Sequence, residues 1–158
     1  MNNETMNNGF IAAGVNLEFS YAAGETASRF LVALRDEQKI YGTRCPACAR
    51  VLVPARSFCP RCSVETTEWV EVGPVGALVA FAPIERTAPH HPRPAPFAYG
   101  LIRLDGADVN FVHLIDGAPL DSLAVGMRVT PVFAAARAGS ILDIAYFKPV
   151  EASRAHSI

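Results

Sequence analysis

Cys45-Pro46-Ala47-Cys48, followed after ten residues by Cys59-Pro60-Arg61-Cys62, is the stretch that decides the fold of this chain. Each Cys-x-x-Cys is a tight turn offering two thiolates to one ion. A short excursion between two such turns brings the second pair back to face the first, which is the ligand set and spacing of a tetrahedral Zn²⁺ site. These four are the only cysteines among the 158 residues, so no thiol is left for another task. A site filled by four protein sulfurs has no open position for water or substrate, and the expected single zinc ion is therefore structural. Disulfides would need an oxidising compartment. The first nine residues are polar and asparagine-rich, without the basic-then-apolar order of a secretory leader, so the expectation is a reduced, cytoplasmic chain. A thioredoxin-like redox pair accounts for one CxxC, not for two matched pairs around a short basic loop.

Outward from the knuckles the pattern becomes extended. Val51-Leu52-Val53 before Pro54 reads as a short strand, and Glu68-Trp69-Val70-Glu71-Val72 alternates polar and apolar as a half-buried strand does. This places a zinc ribbon over residues 40–72, with Trp69 covering its edge and Gly42 turning the chain into the first knuckle. Residues 17–39 form a helical segment. Within it, over 25–37, Ala27, Phe30, Leu31 and Leu34 share a face from which Glu25, Arg29, Arg35 and Glu37 are absent, with Gly24 or Thr26 near the N-cap.

Downstream, residues 73–149 read as all-β. Strands are expected over 75–84, 99–104, 109–115, 128–133 and 141–147. The second and third make a hairpin across Asp105-Gly106-Ala107-Asp108, and 119–126 is a connector with one helical turn. Five strands, Gly76 in the long first one and a longer link between the third and fourth describe a small Greek-key OB barrel. An irregular sandwich is the alternative. The fold class is thus mainly β with an N-terminal helix: a rubredoxin-like zinc ribbon followed by a five-stranded OB-fold barrel. Residues 1–16 and 150–158 offer no periodic apolar face and are expected to be disordered and flexible.

Charge and composition narrow the function. The formal charge is −1, and four thiolates with a dication lower it to −3. The basic residues are almost all arginine and form no stripe, which argues against a nucleic-acid binder. The longest apolar runs fall far short of the roughly 18–20 residues of a membrane span, so no membrane role is expected. The apolar share of 51% is high for two modules with little interior. It points to surface buried against a partner, although an alanine-rich composition accounts for it equally.

The ordered pattern of residues 24–30, Leu34-Arg35, Gly42-Thr43-Arg44-Cys45, Val53-Pro54, Phe58-Cys59, Cys62 and residues 68–76 resembles a family of zinc-ribbon/OB-fold proteins. That family was catalogued as a domain of unknown function and is encoded beside thiolases; it includes the small subunit of benzoylsuccinyl-CoA thiolase. Residues 102–108 and 125–129 are similar to its barrel motifs, and the resemblance covers about residues 22–149. It implies Cys45, Cys48, Cys59 and Cys62 as zinc ligands and an accessory role. The chain would be a non-catalytic subunit in a hetero-oligomer with a thiolase-fold enzyme acting on acyl-CoA (a thiolase, acyltransferase or aldolase), in aromatic or sterol degradation. One departure is that Ala49 and Ser63 stand where glycine often follows the knuckle's second cysteine, so those turns are expected to be slightly tighter.

The remaining candidates are surface groups. His90 and His91, between Pro89 and Pro92 and near Arg86 and Arg93, lie on the loop joining the first two barrel strands. Two imidazoles and two guanidiniums there suit a CoA phosphate; the bland reading is a stiff, solvated proline loop. Arg44, Arg50, Arg56 and Arg61 surround the knuckles and offset the dianionic ZnS₄ charge. Arg56 and Phe58, or the helix face of Phe30, Leu31 and Leu34, are the candidate partner-binding residues, the helix face serving equally as internal core. His113, alternating with Phe111 and Ile115, reads as a packed, hydrogen-bonded histidine. No serine sits in a nucleophile elbow and all thiols are committed to metal, so no catalytic residue is expected. Two rivals remain: a single-stranded nucleic-acid-binding module, and a stand-alone acyl-CoA-binding protein or hydratase-like enzyme.

Overall fold

A computed structural model of the chain describes residues 20–150. The expectations for 1–16 and for the tail beyond 150 lie outside the described residues. Helix α1 (Glu25–Asp36) has Gly24, with a left-handed φ of 83°, as its N-cap. Thr26 lies inside the helix, and its hydroxyl accepts a hydrogen bond from that of Ser57 at 2.8 Å. The helix stops where Gln38 turns left-handed (φ 55°), with the N–H groups of Glu37 and Lys39 both folding back onto the Ala33 carbonyl.

The apolar face of α1 closes on the chain's own core, which it shares with Ile40, Val51, Val53 and Val72. This corrects the expectation of a docking face at Phe30, Leu31 and Leu34. Leu34 is wholly buried, Phe30 nearly so, and Leu31 packs against the same cluster. A short helix tethered to an apolar sheet covers it without the loss of translational freedom that a separate partner would incur.

Strands β1 (Ile40–Arg44), β2 (Val51–Leu52) and β3 (Glu68–Val72) form an antiparallel sheet in the order β2-β1-β3. Gly42, expected as a turn residue, sits mid-strand in β1 opposite Val70. Its role is close approach: a Cβ there would stand 2.8 Å from both the Leu52 carbonyl oxygen and the Val51 side chain. Trp69 is half-buried on β3, with the Arg29 guanidinium 4.1 Å above its ring.

Strands β4 (Gly76–Ile84), β5 (Phe97–Leu104), β6 (Phe111–Ile115), β7 (Arg128–Phe133) and β8 (Ile144–Pro149) close a barrel in the order β4-β5-β6-β8-β7. All neighbours run antiparallel except β6 and β8, which meet in parallel at Ile115 and Phe147. That is the Greek-key closure of an OB fold, and it rules out the sandwich. The long β4 serves both halves. Its start pairs with β7, and the whole strand follows β5 across a bulge between Leu78 and Ala80. Residues 141–143, expected to open the last strand, form a 3-10 turn instead, because the buried Asp143 carboxylate gathers the N–H groups of Ala138, Gly139 and Ser140.

Ribbon and barrel are clasped at the β5–β6 turn. The Asp108 carboxylate accepts from the Val51 N–H at 2.8 Å, and the Asp108 N–H donates to the Val51 carbonyl at 3.0 Å. Below it, the Gly73 N–H donates to the Asp105 carbonyl at 2.9 Å. One apolar core runs without a break through helix, ribbon and barrel.

Candidate metal centre

The two knuckles repeat one local structure. In the first, the Cys45 N–H donates to the Arg50 carbonyl (2.9 Å) and the Ala49 N–H to the Cys45 carbonyl (2.8 Å). In the second, the Cys59 N–H donates to the Val64 carbonyl and the Ser63 N–H to the Cys59 carbonyl, both at 2.9 Å. Closing such a loop requires a left-handed residue after the second cysteine, and Ala49 (φ 60°) and Ser63 (φ 54°) adopt it. Without glycine, each position carries about 1–2 kcal/mol of backbone strain.

The result is a compact sulfur cluster. The four Sγ atoms of Cys45, Cys48, Cys59 and Cys62 lie within 4.8 Å of one another, and Cys48 Sγ is 3.9 Å from Cys59 Sγ. Sulfurs at tetrahedral corners about 2.3 Å from a zinc ion stand about 3.8 Å apart, so the donor set fits one Zn²⁺. Cys45 and Cys59 are buried, Cys48 and Cys62 half-buried. Burial pushes the Cys59 thiol up, but the backbone N–H groups of Arg61 and Cys62 and the Cys45 and Cys48 thiols more than offset it, leaving it at about 7. Its neighbour Cys62 is driven up to about 12, first by the Cys48 thiol and then by burial. Four thiols this close do not ionise independently, and a bound dication supplies the charge that stabilises all four thiolates together.

The loop between the knuckles is held by its backbone. The buried Thr43 hydroxyl donates to the Arg56 carbonyl (2.9 Å) and accepts from the Arg56 N–H (3.0 Å), and the Thr66 hydroxyl donates to the same carbonyl. Arg56 and Phe58 consequently project outward from a fixed main chain, Phe58 with 61% of its surface exposed. Of the other arginines, Arg44 pairs with Glu68 at 2.9 Å and Arg50 donates to the Asp108 carbonyl at 3.1 Å, while Arg61 is exposed. Thr43 and Thr66 were missed by sequence reasoning; a threonine two residues before the first cysteine was the available signal for Thr43.

Residues 32–68 match the family model described as the ChsH2 rubredoxin-like zinc ribbon domain, and residues 69–134 match the ChsH2 C-terminal OB-fold domain. The chain belongs to the ChsH2 family. Among solved structures it is similar to the Ltp2–ChsH2(DUF35) aldolase, with a TM-score of 0.59 and 22% identity over 82% of this chain and 98% of that one. It is also similar to a DUF35-family protein of unknown function from Sulfolobus solfataricus, with a TM-score of 0.56 and 24% identity over 69% of this chain and 78% of that one. At these identities the likeness shows the fold. A search of curated proteins found no match.

The barrel candidates of this ChsH2-family chain are only partly brought together. On the β4–β5 loop, His91 Nδ1 accepts from the Ala88 N–H at 3.1 Å, and its ring packs edge-on against Phe97 and His90. Arg93 forms an ion pair with Asp116 and lies over the Tyr146 ring. Arg86 and His90 are exposed. His113 is buried, with Nε2 3.1 Å from the Ile141 carbonyl oxygen. No described helix is long and apolar enough to cross a membrane.

Proposed function

We propose that this chain is a non-catalytic zinc-binding subunit that scaffolds a thiolase-fold enzyme acting on acyl-CoA, in a thiolase- or aldolase-type complex. The observation that carries the reading is the commitment of all four thiols to one cluster, which leaves no sulfur nucleophile for acyl transfer. The chemistry is then assigned to the partner, and this chain supplies a rigid surface. A member of the same fold sits in the Ltp2–ChsH2 aldolase, which supports assembly with a second protein.

Arg56 and Phe58 are the anchor we assign to that contact. An exposed aromatic and a guanidinium on a backbone already pinned by Thr43 and Thr66 lose little freedom on binding. For a CoA phosphate at the border of the complex, Arg86 and His90 are the two candidates on the β4–β5 loop whose side chains are exposed, whereas Arg93 is ion-paired and His91 accepts from the loop backbone.

The test is co-purification with a candidate thiolase-fold partner, followed by thiolysis and aldol-cleavage assays of each component and of the mixture. The expected result is no turnover by the isolated chain, activity in the mixture, and at least tenfold weaker association with Phe58→Ala. Turnover by the isolated chain overturns the reading. Loss of phosphate-dependent CoA retention in the complex on Arg86→Ala checks the loop assignment.

A further inference from the structure

The outer wall of the barrel breaks the alternation that a solvent-facing antiparallel sheet keeps. Across β4, β5 and β6 the inward row Leu78, Ile102 and Phe111 is buried, as a core row should be. The outward rows are apolar as well. Ala80, Leu101 and Val112 stand opposite one another in the first, and Ala82, Tyr99 and Leu114 in the second. Val112 is 62% exposed, Ala80 and Ala82 are exposed, and Leu101 and Tyr99 are half-buried. Leu142, on the 3-10 turn before β8, is 48% exposed and lines an open groove with Tyr99, Val112 and Leu114. Two residues beyond Leu101 on the same face of β5, the exposed Arg103 ends the apolar rows. Its Nε donates to the Asn110 side chain at 2.7 Å, which fixes the guanidinium. No carboxylate pairs with it among the described residues.

β5 and β6 are the second and third strands of the barrel, and the outer face of those two strands is where OB folds bind their ligands. Here the open rows hold one aromatic ring, Tyr99, and end in one cation, too few for a phosphate backbone and a run of stacked bases. Apolar rows that end in an unpaired guanidinium complement an apolar surface carrying a carboxylate. The dimensions choose its shape. Three strands about 4.8 Å apart span about 10 Å, the width of one α-helix. From Tyr99 to Arg103 the face runs about 14 Å along β5, or between two and three helical turns. We propose that the outer face of β4, β5 and β6 docks an amphipathic helix of a partner protein. Its apolar stripe lies against Leu101, Val112 and Leu142, and a carboxylate at one end meets Arg103. The inference rests on the reading of this chain as a subunit of a complex. It adds a contact on the barrel to the one assigned to the ribbon loop.

The test is the affinity of the zinc-loaded full chain for a candidate thiolase-fold partner, measured by calorimetry, with hydroxyl-radical footprinting of the complex. Val112 and Leu142 are expected to become protected from labelling on assembly. Val112→Glu is expected to weaken association at least about tenfold. Arg103→Glu weakens it several-fold and flattens its salt dependence. Val112→Thr, close in shape, weakens it roughly two- to fivefold and serves as the second variant should V112E not fold. Association that both V112E and R103E leave unchanged, with Val112 and Leu142 still labelled, overturns this inference and leaves the subunit reading standing. No association of the wild-type chain overturns both. A dimer of the isolated chain that V112E dissociates gives the face to a second copy, and salt-dependent binding of a single-stranded oligonucleotide that R103E abolishes gives it to nucleic acid; either result overturns the proposal.

Discussion

Ala49 and Ser63 concentrate the local strain of the metal site in two backbone positions, each left-handed and each closing a knuckle through its own N–H. Glycine adopts that conformation without a Cβ clash but loses more freedom on folding, and the two effects partly cancel. Ala49→Gly and Ser63→Gly are therefore each expected to stabilise the chain by about 0.5–1 kcal/mol, seen as a higher urea midpoint with an unchanged slope. A lower midpoint in both would mean that the side chains contribute packing that outweighs the strain. Asp108 is the second residue of this kind, since one carboxylate joins ribbon to barrel. Asp108→Ala leaves the Val51 N–H without that acceptor and is expected to destabilise by about 1–2 kcal/mol.

At the scale of elements, the loop between β7 and β8 is what holds the helix end against the barrel. Arg137 donates to the Arg35 carbonyl at 2.6 Å and to the Ala134 carbonyl at 3.0 Å, while the Asp143 carboxylate gathers three N–H groups of the same loop. Burial raises the Asp143 carboxyl, but those N–H groups and then the Arg137 charge hold it below the usual carboxylate value. A depressed folded-state value contributes stability that is fully present above the unfolded pKa of about 4. It is lost as the pH falls through the folded value. Urea unfolding between pH 7 and pH 3 is expected to show wild type ahead of Asp143→Asn at neutral pH, by about 2 kcal/mol, with the gap closing in acid. A constant gap across that range would show that the carboxylate charge is not what the loop uses.

For the whole molecule, the uneven distribution of apolar contacts sets how it comes apart. The knuckles have their own small cluster, Cys45, Leu52 and Cys59 with half-buried Val64 and Val109, whereas α1, the base of the ribbon and the barrel share the large core. The metal thus stands in for hydrophobic burial at one end only. Zinc removal by a chelator, or Cys45→Ser, is expected to expose the amides of residues 44–66 to hydrogen exchange while the barrel strands stay protected. Loss of protection in both at once would mean that the shared core makes the molecule a single cooperative unit.

The zinc ribbon, the helix and the five barrel strands were legible in the sequence because each rests on local spacing: two CxxC turns, a helical apolar stripe, and alternation broken by turn residues. Gly42 was misread as a turn, since nothing local reveals that β2 will press against it, and the first strand of the ribbon went unseen with it. The opening of the last strand became a 3-10 turn for a similar reason, because the N–H groups that Asp143 gathers are settled only when the loop folds. Chain order and residue type by themselves determined that four sulfurs meet one ion. Tertiary structure alone decided that the helix face is spent inside the chain and that Phe58 stands out on a pinned loop. Which faces stay exposed depends on what packs where, and packing joins residues that are distant along the chain.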